Sequence, residues 1–486
     1  MIFNSVEEVH NHAKKAIGKT IFELNGNKSV QSSKSNVGDA FENWFGKRPD
    51  SSRNPDLHEV GVELKATPFR KLKNGQYSAK ERLVFNIINY EEITEETFEE
   101  SHFLYKNKLL EIGFYEYLKG VPQDEWTIEE TIMFEMAKNP KDFKVIKDDW
   151  ETIQRYVNTG RAHELSESLT NYLSACTKGA SSKSVRKQPY SDIPAKQRAF
   201  SFKSGYMTSL LRQYVLGDNR IESIIKDPFE LMEKDIESIV LERFKPYFNW
   251  TIEQLKKHFG IEGNSYQNNY RIAAAILNLD GKYGDTEAFH NVEEFEKASI
   301  VLKTVKFNEN NVNPESMSFP SFRFEDLSNE SWFNEKGEPS ATWHNFLADT
   351  RFLFFVVKSE KGQDVFKGVK FFAVPDQDLQ GPIRYVWEDT VKKINEGIEL
   401  TAVQQRNGKI IIKNNFIEKS DNLISHVRPH ETKRDYSING KYADKLPAPI
   451  KWKNRPEGDE FSDQWITKQC FWLNNDYIKK QVADLL

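Results

Sequence analysis

At 486 residues the chain is two to three times the length of a typical domain, which requires at least two hydrophobic cores. Its 38% hydrophobic content, with 34 Phe, 18 Tyr and 10 Trp, excludes a disordered chain. No apolar run approaches the roughly 18 residues of a membrane span, and residues 1–15 lack the apolar centre of an export signal. Two cysteines, Cys176 and Cys470, exclude a disulfide framework or a cysteine-built zinc site. A soluble, cytoplasmic, multidomain protein with no membrane partner is expected.

In chain order, residues 36–44 read as a helix and 60–66 as a strand by alternation. Residues 83–89 and 109–117 follow as strands separated by a long loop, and 127–137 and 149–157 read as helical. The class is α/β, or mixed α+β. The pattern then recurs. Residues 20–24 (TIFEL) echo 251–255 (TIEQL), and 62–67 (VELKAT) echo 300–305 (IVLKTV). Residues 149–160 echo 386–397 around a shared Trp-Glu pair, and 199–206 echo 470–477. So long a period excludes a solenoid and predicts a duplicated domain. Residues 1–220 form one copy, 221–234 a linker and 235–486 the second, with the junction near 217–219.

The formal charge of −5 argues against a nucleic-acid partner on average. Residues 168–215 nevertheless carry Lys178, Lys183, Arg186, Lys187, Lys196, Arg198, Lys203 and Arg212 against Asp192 alone. Such a stretch is either an electrostatic footprint for phosphates or a solvated basic loop.

The sharpest cluster for chemistry is NPDLHEVGVELK, residues 54–65. On a strand Gly61, Glu63 and Lys65 share one face while Val62 and Leu64 share the other. A turn brings Asp56 beside Glu63. Two carboxylates and a backbone carbonyl suit a hard divalent cation such as Mg²⁺, and a neighbouring lysine positions water and balances phosphate charge. The spacing alone equally describes a strand face with an ion pair. Glu42 on the preceding helix adds a further carboxylate. Gly18-Lys-Thr20 lacks the earlier glycine of a phosphate-binding loop, since Ala13 stands there, and His10 and His12 read as a solvated helix face.

Residues 34–69 (KSNVGDAFENWFGKRPDSSRNPDLHEVGVELKATPF) closely resemble the Sau-type restriction endonucleases that cut GATC, and also MutH, the mismatch-repair endonuclease that nicks it. The Sau-type resemblance runs nearly full length, through ERLVFNIINYE, KQPYSDIPAKQRAFSFKSGYMTS, PSATWHNFLADTRFLFFVVK and NNDYIKKQVADLL; that to MutH covers mainly the first copy. It implies two tandem MutH-like, restriction-endonuclease-like domains, the second a degenerate copy. The implied PD-(D/E)xK core has Asp56, Glu63 and Lys65 at its centre and Glu42 as the helix carboxylate. Residues 101–106 (SHFLYK) are similar to a MutH segment whose final lysine assists catalysis, which implies that role for Lys106. Lys178 matches the MutH base-reading loop, whose preceding Arg and Pro are absent here. Lys203 matches a family lysine and is expected to touch phosphate, whereas Ser201 replaces a recognition tyrosine and takes no role.

The reaction so implied is hydrolysis of double-stranded DNA at GATC with Mg²⁺ held by Asp56, Glu63 and the Leu64 carbonyl, leaving 5′-phosphate ends. Implied partners are GATC-containing DNA, a companion DNA methyltransferase on another chain, and a second copy as a dimer on DNA. In the second copy Lys303 matches Lys65, but Val301 stands at Glu63, Ile276 near Glu42 and Glu294 near Asp56, too few carboxylates for a catalytic cation. Its residues 426–430 resemble the reading loop, with Arg428 ahead of His430 at the lysine position. The resemblance implies an effector domain that binds another GATC and stimulates the first; the alternative is a scaffold that only buries a face of the first domain. Two other readings stand beside it: a GATC nickase of repair, and a catalytically silent GATC-binding protein.

Overall fold

The computed structural model describes the chain except residues 31–34, 49, 51, 73–74, 180–183, 216, 218–220, 336, 407, 409 and 432. It divides into two units. The first is Met1–Pro246 with Gly263–Leu302 and Asp349–Phe352; the second is Tyr247–Glu262 with Lys303–Ala348 and Leu353–Leu486. Residues 221–234 are therefore not a linker, and 263–302 do not belong to the second unit. Ile224, Ile225 and Leu231 are buried, and the backbone N–H groups of Ile224 and Ile225 donate to Glu294, which anchors one stretch on the other. Of the expected junction only Gly217 lies among the described residues.

The first unit begins with helices α1 (Val6–Lys14), α2 (Ile21–Leu24) and α3 (Ser35–Trp44). Thr20 and Glu23 close a capping box that starts α2 despite its four residues. Next come β1 (Glu63–Lys71), β2 (Tyr77–Ala79), β3 (Leu83–Ile87), α4 (His102–Asn107), β4 (Leu109–Glu116) and β5 (Ile128–Glu135). The main sheet has the order β2-β1-β4-β5, with β1 and β4 parallel and the outer pairs antiparallel. Residues 127–137, expected as a helix, hold β5 instead. Its β-branched Ile128, Thr131 and Ile132 suit a pleat, and registers such as Ile112↔Ile132 pair its backbone with β4, outweighing the helix preference of its glutamates.

Gly113 of β4, the register partner of Ala66 on β1, sets where α3 rests. A Cβ there would stand 2.9 Å from the Phe41 ring, so the missing side chain is what lets Phe41 lie on the sheet. Helix α5 (Pro140–Asn158) follows, then β6 (Leu173–Thr177), the hairpin β7 (Val185–Gln188) and β8 (Ser191–Lys196), β9 (Arg198–Phe202) and α6 (Ser204–Leu210). A second sheet has the order β3-β9-β6, antiparallel throughout.

Strands β10 (Ile300–Phe307) and β12 (Arg351–Glu360) start on residues of the first unit and continue in the second, which also carries β11 (Met317–Ser318), β13 (Gln363–Ala373), β14 (Glu399–Gln404), β15 (Ile410–Asn414), β16 (Ser425–Arg428), β17 (Ala443–Lys445), β18 (Lys451–Asn454), β19 (Trp465–Thr467) and β20 (Cys470–Leu473). Its sheets are β10-β12-β13, β11-β20-β16, β15-β14-β18 and β17-β19. The sheet β11-β20-β16 has the arrangement of β3-β9-β6: a central strand antiparallel to both neighbours and followed by a seven-residue helix, here Asn475–Gln481. Thr251 closes a capping box with Gln254 as Thr20 does with Glu23. The echoed segments thus fold into like elements in the same order. Among the described residues no helix is long and apolar enough to cross a membrane.

Candidate active site

The site is built by a chain reversal just before β1. Leu57 and Val62 form an antiparallel bridge, and Gly61 takes a φ of +70°, a left-handed conformation that costs glycine little. The reversal lays Asp56 beside the start of β1. The Leu64 backbone N–H donates to Asp56 Oδ2 at 3.0 Å, and the Asp56 N–H donates to Glu63 Oε2 at 3.1 Å. Lys65 Nζ donates to Glu63 Oε1 at 2.6 Å. Val62 and Leu64 are buried on the opposite face, as alternation predicts.

Glu63 is 3% exposed, and burial raises its carboxyl above the usual range against the pull of Lys65. Helix α3 brings Glu42 to the same place. Its carboxyl is pushed up to about 7, first by burial and then by the negative charge of Asp56, with Asp39 and Glu63 adding and Lys65 opposing. Crowded, partly desolvated carboxylates are the electrostatic condition that a divalent cation relieves. Among the described residues no three His, Cys, Asp or Glu are grouped as a metal would need. Asp56 and Glu63 are the two carboxylates that the chain reversal brings together at the start of β1.

Helix α4 holds the loop leading into Asp56. Ser101 caps it by accepting the Leu104 N–H at 3.1 Å. Lys106 Nζ donates to the Ser52 carbonyl at 2.8 Å and lies 3.7 Å from Glu63 Oε1. Tyr105 Oη donates to Asn54 Oδ1 at 3.2 Å, and His102 Nε2 lies 2.9 Å from the Arg53 carbonyl. Sequence reasoning singled out Lys106 and missed His102 and Tyr105, although the i, i+3, i+4 spacing places all three on one helical face. It also missed Lys47, which pairs with Asp50 at 2.9 Å within the field of Asp56 and Glu42; no motif signals it.

A groove of 640 Å³ opens beside Lys106, with Ser52, Asn86, His102, Arg186 and Lys187 in its wall. Here the basic stretch divides. Arg186 and Lys187 are exposed on the hairpin strand β7 and face the groove, and Lys178 is partly exposed at the end of β6. Arg198 and Arg212 are buried: Arg198 donates to the Ala175 carbonyl, and Arg212 pairs with Glu296 at 2.5 Å. Lys183 lies outside the described residues.

Lys203 is a correction. It is 0% exposed, and its Nζ donates to the carbonyls of Asp349 at 3.2 Å and Ala298 at 3.4 Å. Burial, then Arg351, pull its ammonium down to about 7. A lysine used this way inside the first unit does not reach a phosphate. His10 and His12 are a smaller correction. Both are partly buried rather than solvated: His10 Nδ1 lies 3.2 Å from the buried Glu111, and His12 stacks on Trp44.

In the second unit Arg428 and His430 are exposed and share one indole. The Arg428 guanidinium lies 3.9 Å over the Trp472 ring, and His430 stacks on it with centroids 5.8 Å apart. Sequence reasoning did not single out Trp472. Of the residues matched to the catalytic carboxylates, Ile276, Glu294 and Val301 all lie in the first unit: Val301 and Ile276 are buried apolar residues, and Glu294 accepts the N–H groups of Ile224 and Ile225.

A family model described as DNA mismatch repair enzyme MutH matches residues 45–149, which hold Asp56, Glu63, Lys65 and Lys106 and begin just after Glu42. The chain is 62% identical over 483 residues to the type II restriction enzyme Sau3AI of Staphylococcus aureus, covering 99% of each chain. It is 24% identical over 185 residues to the DNA mismatch repair protein MutH of Pasteurella multocida, covering 37% of this chain and 80% of that protein.

Proposed function

The chain belongs to the family of the type II restriction enzyme Sau3AI, and on that premise we propose that it recognises GATC in double-stranded DNA and hydrolyses both strands with Mg²⁺. The observation that carries the reading is the set of Asp56, Glu63 and Lys65 on one side of a strand whose other side is buried, with Lys106 3.7 Å from Glu63. A divalent metal, which the family implies, supplies Lewis-acid stabilisation and a more acidic water when bound, and Mg²⁺ is assigned because the donors are all oxygen.

The protein's own groups do the rest. Asp56 and Glu63, locked to each other through backbone N–H bonds, present oxygen donors without having to reorganise. Lys65 orients the attacking water, and Lys106 offsets the charge that builds on the phosphate. Arg186, Lys187 and Lys178 hold the duplex, Lys178 toward the base edges, and Glu42 is the further carboxylate of the site. The second unit, a degenerate MutH-like copy, binds another GATC through Arg428 and His430 and stimulates the first. Its occupancy must then favour the active arrangement of the first site.

Digestion of a GATC-bearing plasmid in Mg²⁺, with EDTA as control, tests this. Linear products are expected. Nicked circles would favour a MutH-like nickase, and binding without cleavage a silent GATC-binding protein. Faster cleavage of two-site than one-site DNA, lost in Arg428→Ala, is expected for the effector copy.

A further inference from the structure

The second unit contains a pocket of 410 Å³ beside the hairpin β14–β15 and strand β16. Two buried side chains in its wall carry polar atoms without partners, although Nε2 of Gln469 donates to the Thr467 carbonyl at 2.8 Å. Neither ring nitrogen of His426 nor Oε1 of Gln469 has a hydrogen-bond partner among the described residues, although these residues are only 0% and 2% exposed. Asn474 lies beside His426 without closing a bond of hydrogen-bonding geometry, and its own Oδ1 is likewise unpaired. Leaving such groups unmet costs roughly 1–3 kcal/mol each, so their place in a cavity wall points to something that completes them.

The rest of the lining says what that is. Lys413, Lys419, Arg428 and Arg434 contribute four cations against Glu418 alone, in a chain of net charge −5. Tyr436 adds an aromatic face. His426 is held flat against Trp472, with centroids 6.1 Å apart and planes 17° apart, so its ring edge has a fixed direction. Burial, then the Arg428 charge, push its pKa down to about 4. At neutral pH the imidazole therefore offers one donor and one acceptor, the complement of a base edge. Cations serve a phosphate, and paired donors and acceptors serve a base.

We infer that this pocket binds a nucleotide, its phosphate on the basic rim and its base edge on His426 and Gln469. The nucleotide is either free or turned out of a DNA strand. Only the second source rests on the reading of this unit as a DNA-binding copy.

The test uses the full chain. Titrations with each of the four deoxynucleoside monophosphates are compared with inorganic phosphate, and a GATC duplex carrying 2-aminopurine at adenine reports base extrusion by its fluorescence. At least one nucleotide should bind tenfold or more tightly than phosphate. That binding should weaken at least tenfold in Gln469→Leu and in the exposed Lys413→Ala, which does not threaten folding. A fluorescence rise lost in Lys413→Ala assigns the ligand to a strand; nucleotide binding without the rise assigns it to a free nucleotide. Phosphate binding as tightly as every nucleotide, binding indifferent to Lys413→Ala, or neither signal at all overturns the inference. GATC cleavage by the same preparations is read in parallel: cleavage intact with an empty pocket rejects the pocket alone, whereas lost cleavage in the unaltered chain rejects the proposed function.

Discussion

The Leu64 backbone N–H donates to Asp56 Oδ2 at 3.0 Å, which ties the carboxylate of a loop residue to the strand that carries Glu63 and Lys65. The bond fixes Asp56 by geometry, while its charge serves the chemistry. Asp56→Asn retains an oxygen able to accept the Leu64 N–H and loses the charge. It is expected to melt within about 3 °C of the unaltered protein, a shift below 1 kcal/mol, and to cleave roughly a thousandfold more slowly. Thermal denaturation and single-turnover cleavage, measured side by side, separate the two contributions.

Lys106 bonds the Ser52 carbonyl from a helix that Tyr105 and His102 also fasten to the same loop. With those two anchors left in place, Lys106→Met should preserve folding and DNA affinity and slow cleavage by about 10²-fold or more, the scale of one lost electrostatic stabiliser. An equal loss of affinity would show that Lys106 acts in binding instead.

Gly113 leaves room for Phe41. Gly113→Ala places a methyl 2.9 Å from that ring and should destabilise the protein by about 1–3 kcal/mol, as overpacking does. Because Phe41 precedes Glu42, cleavage should fall further than stability alone explains. Urea denaturation followed by cleavage rates under fully folded conditions checks both parts.

His426 is buried against Trp472, and burial first, then Arg428, depress its pKa to about 4. The unfolded imidazole titrates near 6.5, so the unfolded state binds the extra proton first. The stability this neutral ring contributes is fully present above pH 6.5 and is lost as the pH falls toward about 4. Melting temperatures across that window should decline less steeply in His426→Phe, which keeps the aromatic packing. Parallel curves would assign the decline to other groups.

Lys203 and Lys178 lie in one basic stretch and have different surroundings. Lys203 sits inside the first unit on two carbonyls, whereas Lys178 is partly exposed at a strand end. Lys203→Met should lower stability and leave the salt dependence of DNA binding unchanged. Lys178→Ala should reduce the slope of log affinity against log salt by about 1 if it meets a phosphate, or relax base preference if it meets a base edge. Filter binding at several salt concentrations distinguishes them.

What could be read from the sequence was local. Asp56, Glu63 and Lys65 come together through a short turn and a period of two, both visible in twelve residues. His102, Tyr105 and Lys106 follow from helical spacing. The contact of Phe41 with Gly113 joins distant segments and leaves no local trace. The basic stretch misled because a count of charges is blind to burial, and Arg198, Lys203 and Arg212 are interior residues. Strand β5 was misread because pairing with β4 overrides the helix preference of its own glutamates. The unit boundary was misplaced because residues 263–302 pack with the first unit although the repeat groups them with the second.

Glu63, 3% exposed and bonded by both the Asp56 N–H and Lys65, is the centre of the proposed active site. The decisive measurement is cleavage and binding of GATC DNA by Glu63→Ala in Mg²⁺. Phosphate contacts elsewhere dominate affinity, so binding should persist while cleavage is abolished. Near-normal cleavage by this variant would contradict the assignment of the active site.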